Sequence, residues 1–148
     1  MKLHLVFFII TIPIFHSCGT VQNNNSEAIF RHVNLGRLGH INLGENLSDH
    51  NHLYKVENTR YFLKENVFDG ATSIELVPDS DGVIGSIIFE AYKNADKASK
   101  ISEYEHLGKP TVENGNAVWN DGKTVFEIYE VESNNDTSLF LKISDIKK

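Results

Sequence analysis

The stretch that decides the fold runs from Thr72 to Ala91 and reads TSIELVPDSDGVIGSIIFEA. Its first part alternates apolar Ile74 and Leu76 with polar residues, which is the period of a half-buried β-strand. The turn residues PDSDG separate this part from Val83–Ala91, which is apolar on both sides. Because a strand with two apolar faces belongs in the interior of a sheet, we predict a hairpin whose second strand is central.

A helix is predicted directly after this hairpin. Asn94 is the expected N-cap, since its side chain can accept hydrogen bonds from the free amides of the first turn, and the helix starts at Ala95-Asp96. Gly108 and Pro110 predict its end near Leu107. The expected apolar stripe consists of Ala98, Ile101, Tyr104 and Leu107.

Three strands are predicted after the helix. Ala117–Trp119 and Thr124–Val131 flank Asn120-Asp121-Gly122, and an Asp-Gly pair readily forms a tight hairpin turn. The turn Ser133-Asn134-Asn135-Asp136 then precedes the alternating strand Leu139–Ile143. Several strands, one helix and three strands predict an α+β domain in which the helix packs on one face of an antiparallel sheet.

The part of the domain before Thr72 is less regular in sequence. Ile29–Ile41 predicts a strand with irregular ends, because Gly36 and Gly39 interrupt its apolar pattern. Leu43-Gly44-Glu45-Asn46 predicts a turn, and Ser48–His52 a loop. Tyr54–Glu57 and Arg60–Lys64 then predict two short strands around Asn58-Thr59.

The only cysteine, Cys18, closes the run Phe15-His16-Ser17-Cys18 after a basic start and an apolar stretch from Leu3 to Phe15. This stretch is shorter than the roughly 20 residues that a membrane-spanning helix needs, and it has the form of a signal peptide. The run resembles the lipobox of bacterial lipoproteins. That resemblance implies cleavage before the cysteine and attachment of a diacylglycerol to the Cys18 thiol. The alternative is a plain secreted protein whose thiol lies near its cleavage site.

The chain therefore divides into three expected parts: a signal peptide over residues 1–17, a lipidated cysteine with a polar tether over 18–26, and a single α+β domain over 27–148. Two acyl chains would hold such a protein stably on a membrane, whereas one is marginal. In enteric lipoproteins, an aspartate directly after the cysteine is associated with retention in the inner membrane. By analogy, the glycine at position 19 favours the outer membrane. We expect a location in the bacterial cell envelope, at the outer membrane rather than the inner one, facing the periplasm.

The net charge of −6 bears on the partners of the domain. Nucleic-acid binding draws most of its affinity from clustered Lys and Arg, and the lysines at 93, 97 and 100 lie beside Asp96 and Glu103 at the spacing of a solvated helix face. We expect no nucleic-acid partner. The expected partners are a membrane, through the anchor, and a protein of the envelope.

Three polar residues are candidate metal ligands. His50 and His52 would point to the same side of an extended segment, with Asp49 adjacent, and two imidazoles can begin a zinc or copper site. A site needs three or four ligands, and His32, His40 or His106 could complete it only through the fold. A solvated loop explains the same residues, and we expect no cofactor.

The sequence offers no catalytic grouping: it lacks a nucleophile elbow, a P-loop and a dinucleotide fingerprint. Trp119, placed before a turn and expected to be half exposed, is the candidate binding residue. The run from Ile101 to Pro110 followed by Trp119 is similar to small outer-membrane lipoproteins of the barrel-assembly type and their inhibitor-like relatives.

We expect a non-enzymatic, lipid-anchored module that binds a protein or another component of the envelope. One alternative is a small metal-binding protein or enzyme that uses His50 and His52. Another is an inhibitor or immunity-type protein, for which an exposed aromatic patch around Trp119 would be the main support.

Overall fold

The computed structural model describes residues 29–65, 71–92, 95–133 and 136–146. These residues form ten strands and one α-helix. The leader, Cys18, the tether and Asn94 lie outside the described residues. The elements are β1 (His32–Asn34), β2 (His40–Asn42), β3 (Tyr54–Glu57), β4 (Arg60–Leu63), β5 (Ala71–Pro78), β6 (Ile84–Ala91), α1 (Lys97–Glu103), β7 (Thr111–Glu113), β8 (Asn116–Asn120), β9 (Thr124–Ser133) and β10 (Asp136–Asp145).

Eight strands form one antiparallel sheet in the order β3-β4-β5-β6-β10-β9-β8-β7. The sheet is two four-stranded meanders joined where β6 pairs with β10, and α1 lies in the connection between them. The prediction of an α+β domain is therefore confirmed in its broad class. The sheet is larger than expected, and a separate two-stranded sheet of β1 and β2 accompanies it.

The predicted hairpin of the opening stretch is present as β5 and β6. The carboxylate of Asp79 accepts hydrogen bonds from the amides of Asp81 and Val83 at 2.8 and 3.1 Å, which closes the turn. β6 lies between β5 and β10 in the middle of the eight-stranded sheet, as predicted. Isolated hairpins are marginal in water, so this central pairing gives β5 and β6 their stability.

Alternation along the strands gives the sheet two different faces. On one, which we call the core face, large apolar side chains pack into a single cluster. Its least exposed members from the sheet include Leu76, Ile87, Phe126, Ile128 and Ile143. The other, which we call the mixed face, carries Phe62, Glu75, Ile88, Lys142 and Glu127 side by side in one row across five strands.

The segment before β3 covers part of the core face. Leu35, Ile41 and Leu47 are buried in the apolar cluster. The prediction of one irregular strand over Ile29–Ile41 was wrong: β1 and β2 pair with each other around a 3-10 helix at Gly36–Leu38. Both glycines of this segment have positive φ, which a continuous strand does not allow, so they reverse the chain instead of merely interrupting it.

Two further boundaries differ from the predictions. The expected loop Ser48–His52 begins as a 3-10 helix at Leu47–His50, because Leu47 is buried and fixes that turn against the core. β7 was not predicted, since Thr111–Glu113 is exposed along its whole length and shows no apolar alternation.

The helix begins later than predicted. The N-cap is Asp96, whose carboxylate accepts a hydrogen bond from the Ser99 amide at 2.7 Å, so α1 starts at Lys97. A second, 3-10 turn continues to Leu107, and Gly108 ends it with a φ of 89°, as the sequence indicated. Ile101, Tyr104 and Leu107 pack against the core cluster, whereas Ala98 is exposed.

Candidate functional site

A cleft of about 420 Å³ lies between α1, β1 and the core face of the sheet. This volume is within the range of small-molecule binding sites, and most of its surface is apolar. The lining residues are Phe30, His32, Val33, Asn34, Ala71, Phe89, Ala91, Lys100, Glu103, Tyr104, Phe126 and Leu141.

The floor of the cleft is open because two small side chains meet there. Ala71 and Ala91 stand directly opposite each other in β5 and β6, and both are buried. The following core-face positions of these strands carry larger side chains, such as Ile74 opposite Phe89. A pair of methyl groups cannot fill the layer that isoleucine and phenylalanine fill, so space remains above the two alanines.

Aromatic rings form one wall of the cleft. Phe126, which is fully buried, packs edge-on against Tyr104 with ring centroids 4.6 Å apart, and Phe30 lies 5.5 Å from Phe126 and 6.5 Å from Tyr104. Each ring is held by a different element: the end of α1, β9 and the chain before β1. The wall is therefore preformed by packing between three parts of the fold.

Tyr104 brings a hydroxyl into this apolar wall. Burial raises the pKa of the Tyr104 phenol, and the negative charge of Glu103 raises it further. Since an unperturbed tyrosine already titrates near pH 10, the hydroxyl stays protonated at neutral pH. It can take part in hydrogen bonds, but it is not a nucleophile.

The rim of the cleft is polar and carries both charges. Lys100 Nζ lies 2.9 and 3.0 Å from the two carboxylate oxygens of Glu103, one turn apart on α1. His32 and Asn34 stand on β1 at the other side of the opening. A ligand whose apolar part is buried in the cleft can therefore place a polar end next to these groups.

The backbone at Ile29, just before the cleft residue Phe30, is fastened by a group of contacts that we call the Asp121 clasp. Asp121 accepts hydrogen bonds from the amides of Ile29, Lys123 and Thr124 at 2.7 to 2.9 Å. Arg31 extends the clasp with an ion pair to Asp145 at 2.9 Å.

The contacts of this clasp lower the pKa of Asp121. Partial burial acts to raise the pKa of Asp121, but the three amide hydrogen bonds and the charge of Arg31 outweigh it, so the pKa lies below its usual value. The carboxylate is therefore ionised at neutral pH and holds Ile29, and with it Phe30, in position.

Trp119 does not lie where the sequence suggested. Its side chain is 5% exposed, its ring stacks on Phe126 with centroids 5.2 Å apart, and its Nε1 donates a hydrogen bond to the Gly108 carbonyl at 2.8 Å. The expectation of a half-exposed indole was wrong, because the turn after α1 folds over the ring. Trp119 supports the aromatic wall from behind instead of contacting solvent.

The predicted metal candidates are not brought together. Nε2 of His50 lies 2.9 Å from a carboxylate oxygen of Glu45, while His52 and Asp49 are exposed. Partial burial acts to raise the pKa of Glu45, but hydrogen bonds from Asn42 and His50 lower it overall. His50 thus fastens the turn after β2. Within the described ranges no group of three or more His, Cys, Asp or Glu side chains could hold a metal ion.

The cleft residues were missed by the sequence reasoning, although one signal was available. Counting outward from the turn at Pro78–Gly82 brings Ala71 close to Ala91, two alanines at core positions of a strongly apolar hairpin. Most of the remaining lining comes from β1, α1, β9 and β10 and the residues next to them, whose meeting depends on the tertiary fold.

No family model matches this sequence, no curated protein is significantly similar to it, and no solved structure matches its fold. The similarity of Ile101–Pro110 and Trp119 to assembly lipoproteins stays a prediction. In the part of the chain that the structure describes, no helix has the length and apolar character to cross a membrane.

Proposed function

We propose that this protein is a lipid-anchored, non-enzymatic module of the bacterial envelope that binds an apolar group of a protein or envelope component in the cleft. The observation that carries the proposal is the preformed apolar cleft over Ala71 and Ala91, with its aromatic wall and polar rim. Sites of this shape bind by burying apolar surface, and their few polar groups orient the ligand.

The polar groups of the cleft support the binding role. Lys100 and Glu103 bind each other along one side of the rim, and the Tyr104 hydroxyl keeps its proton. An activated nucleophile needs an adjacent base or a lowered pKa, whereas the pKa of the Tyr104 phenol is raised.

The anchoring part of the proposal comes from the sequence. The apolar leader followed by Phe15-His16-Ser17-Cys18 is similar to bacterial lipoprotein signals, and Gly19–Ser26 has the small, polar composition of a tether. These features support attachment at Cys18 and a domain facing the periplasm, at the outer membrane in preference to the inner one. Metabolic labelling with palmitate tests the anchor: we expect label in the wild-type protein and none in Cys18→Ala.

The binding proposal can be tested with the neutral apolar dye N-phenyl-1-naphthylamine. The full-length Cys18→Ala chain should bind the dye with an increase in fluorescence. Ala91→Phe fills the floor of the cleft, and we expect it to weaken binding at least about tenfold, or about 1.4 kcal/mol.

Ala98→Phe is the matched control, because Ala98 is exposed on α1 and does not line the cleft. It makes the same chemical change and should leave the dye affinity unchanged. Any dye bound elsewhere, for example by the leader, would be the same in all three chains. Equal affinities in Ala91→Phe and Ala98→Phe would contradict the proposal.

A partner can be sought in cells by crosslinking and affinity capture. We expect the wild-type chain to recover an envelope protein that is reduced in a capture with Ala91→Phe and retained with Ala98→Phe. Equal recovery by the two variants would show that the captured protein binds elsewhere on the domain.

A further inference from the structure

The charges at the rim of the cleft cancel each other. Among the described residues that line the cleft, the lysine and carboxylate side chains are Lys100 and Glu103 alone. Nζ of Lys100 lies 2.9 and 3.0 Å from the two carboxylate oxygens of Glu103, so each charge already has a partner of opposite sign. The Lys100 side chain is 24% exposed, which leaves it little access to water. A ligand in the cleft therefore meets an ion pair and not a free charge.

A charged ligand would have to break this ion pair to gain from it. A carboxylate must displace Glu103 from Lys100, and an ammonium must displace Lys100 from Glu103. In each case one protein charge loses its partner, while the ligand's own charge loses part of its hydration. The net charge of −6 on the chain further opposes an anion. An uncharged polar group costs less to take out of water and leaves the pair intact.

The cleft also offers hydrogen bonds to an uncharged polar group. Oδ1 of Asn34 accepts a hydrogen bond from the Gly36 amide at 2.8 Å, so the Nδ2 hydrogens are the part of this side chain that can donate to a ligand. The hydroxyl of Tyr104 keeps its proton and can both donate and accept. Both side chains line the cleft. A hydroxyl or carbonyl oxygen at the polar end of a ligand suits these groups.

We propose that the cleft binds a single-chain lipid with an uncharged head, of the class of monoacylglycerols and fatty alcohols. This inference rests on the proposed function and narrows its ligand to a small neutral lipid. The hydrocarbon chain lies over Ala71 and Ala91 against the aromatic wall, and the head lies at the rim. A cleft of about 420 Å³ is in the lower part of the range for small-molecule sites, which suits one chain better than two. The ion pair of Lys100 and Glu103 then determines specificity, because it discriminates against fatty acids and other charged lipids.

The test compares three ligands that share one hydrocarbon chain: 1-decanol, decanoate and decylammonium. Each displaces N-phenyl-1-naphthylamine from the full-length Cys18→Ala chain, at concentrations below those at which micelles form. The titrations are made at pH 8, where decanoate is ionised, decylammonium is protonated and an ordinary imidazole is uncharged. We expect decanol to bind at least about tenfold more tightly than either ion. Equal or tighter binding of decanoate or decylammonium would overturn the inference.

A variant of the ion pair separates this selectivity from the greater hydrophobicity of decanol. Glu103→Gln frees Lys100 to pair with a carboxylate, so the ratio of decanol affinity to decanoate affinity should fall at least about fivefold. Glu105→Gln is the matched control, because it removes the same charge from an exposed residue outside the cleft, and it should leave the ratio unchanged. The same ratio in the two variants would show that the ion pair does not select the ligand.

The dye itself distinguishes failure of this inference from failure of the proposed function. If the dye binds and responds to Ala91→Phe, but decanol has no advantage or the ratio ignores Glu103→Gln, the cleft is a binding site and the neutral lipid is the wrong class of ligand. If dye binding does not respond to Ala91→Phe, the proposed function fails and this inference fails with it.

Discussion

The two faces of the eight-stranded sheet are built on different principles. On the core face, Phe126, Ile87 and Ile143 are fully buried in a cluster that the N-terminal segment and α1 complete. On the mixed face, neighbouring strands bring together aromatic rings and ion pairs, such as Tyr129 stacked on Phe140 at 5.4 Å. The same strands supply both faces, since their side chains alternate.

This difference shows where binding capacity arises in the fold. On the core face, large apolar side chains form one cluster, and above Ala71 and Ala91 the covering elements leave a preformed apolar space. On the mixed face the polar side chains satisfy each other: Arg60 forms a two-pronged ion pair with Glu75, and its guanidinium lies 4.9 Å from the centre of the Phe62 ring.

The largest predicted effect on stability comes from a pair of Phe→Ala substitutions, one on each face of the sheet. Phe126→Ala removes a fully buried ring and is expected to cost about 3–5 kcal/mol of unfolding free energy. Phe140→Ala makes the same change on the mixed face, where the ring is half buried, and should cost about 1–1.5 kcal/mol. Urea unfolding measures both, and equal losses would break the distinction between the faces.

The ion pair of the mixed face provides the next effect. Glu75 is 8% exposed, so Arg60→Ala would leave its carboxylate buried without its partner, at a cost of about 1–3 kcal/mol. Lys55→Ala is the control, because Lys55 and Glu57 are both about half exposed and such pairs contribute about 0–1 kcal/mol. If the two variants were equally stable, Glu75 would not depend on Arg60.

The Asp121 clasp predicts a specific dependence on pH. Because the pKa of Asp121 is lower in the folded than in the unfolded chain, its stabilising effect is complete above the unfolded value of about 4 and is lost as the pH falls through the folded value. Asp121→Asn should cost about 1.5 kcal/mol at pH 7.

This cost should shrink as the pH falls below about 4, and urea midpoints from pH 7 to pH 2.5 would measure it. The same variant should weaken dye binding, since Ile29 and Phe30 lose their attachment beside the cleft. If the difference in urea midpoint between the wild-type and Asp121→Asn chains stays constant down to pH 2.5, the clasp is not the source of that difference.

The smallest predicted effect on stability concerns the tip of the hairpin formed by β3 and β4. Thr59 has a φ of 68°, a conformation that β-branched residues rarely adopt, between β3 and β4. Thr59→Gly should stabilise the protein by about 0.5 kcal/mol and leave dye binding unchanged.

Gly115→Thr makes the reverse change at the tip between β7 and β8, where Gly115 has a φ of 82°, and it should destabilise by about 1 kcal/mol. Calorimetry checks both melting temperatures. A loss of stability in Thr59→Gly would show that the threonine is not strained.

The sequence predicted those parts of the fold that depend on local pattern. The β5–β6 hairpin, its central place and the end of the helix at Gly108 follow from alternation, turn residues and a glycine cap. The start of the helix was missed because Asn94 and Asp96 are both good caps in sequence, whereas in the structure the Ser99 amide donates a hydrogen bond to the Asp96 carboxylate.

The cleft could not be predicted in the same way. It depends on Phe30, Tyr104 and Phe126, which are far apart in the sequence and meet only when β1, α1 and β9 pack together. Trp119 shows the same limit: its position before a turn is visible in the sequence, but the carbonyl of Gly108 that binds its indole is not.

The most direct test of the account is methyl NMR of the Cys18→Ala chain with labelled alanines, titrated with N-phenyl-1-naphthylamine. Ala71 and Ala91 lie on the floor of the cleft, whereas Ala98 is exposed outside it. The account predicts saturable shifts of the Ala71 and Ala91 methyl signals at the same dye concentration, with the Ala98 signal unchanged. Dye binding that leaves the signals of Ala71 and Ala91 in place would contradict it.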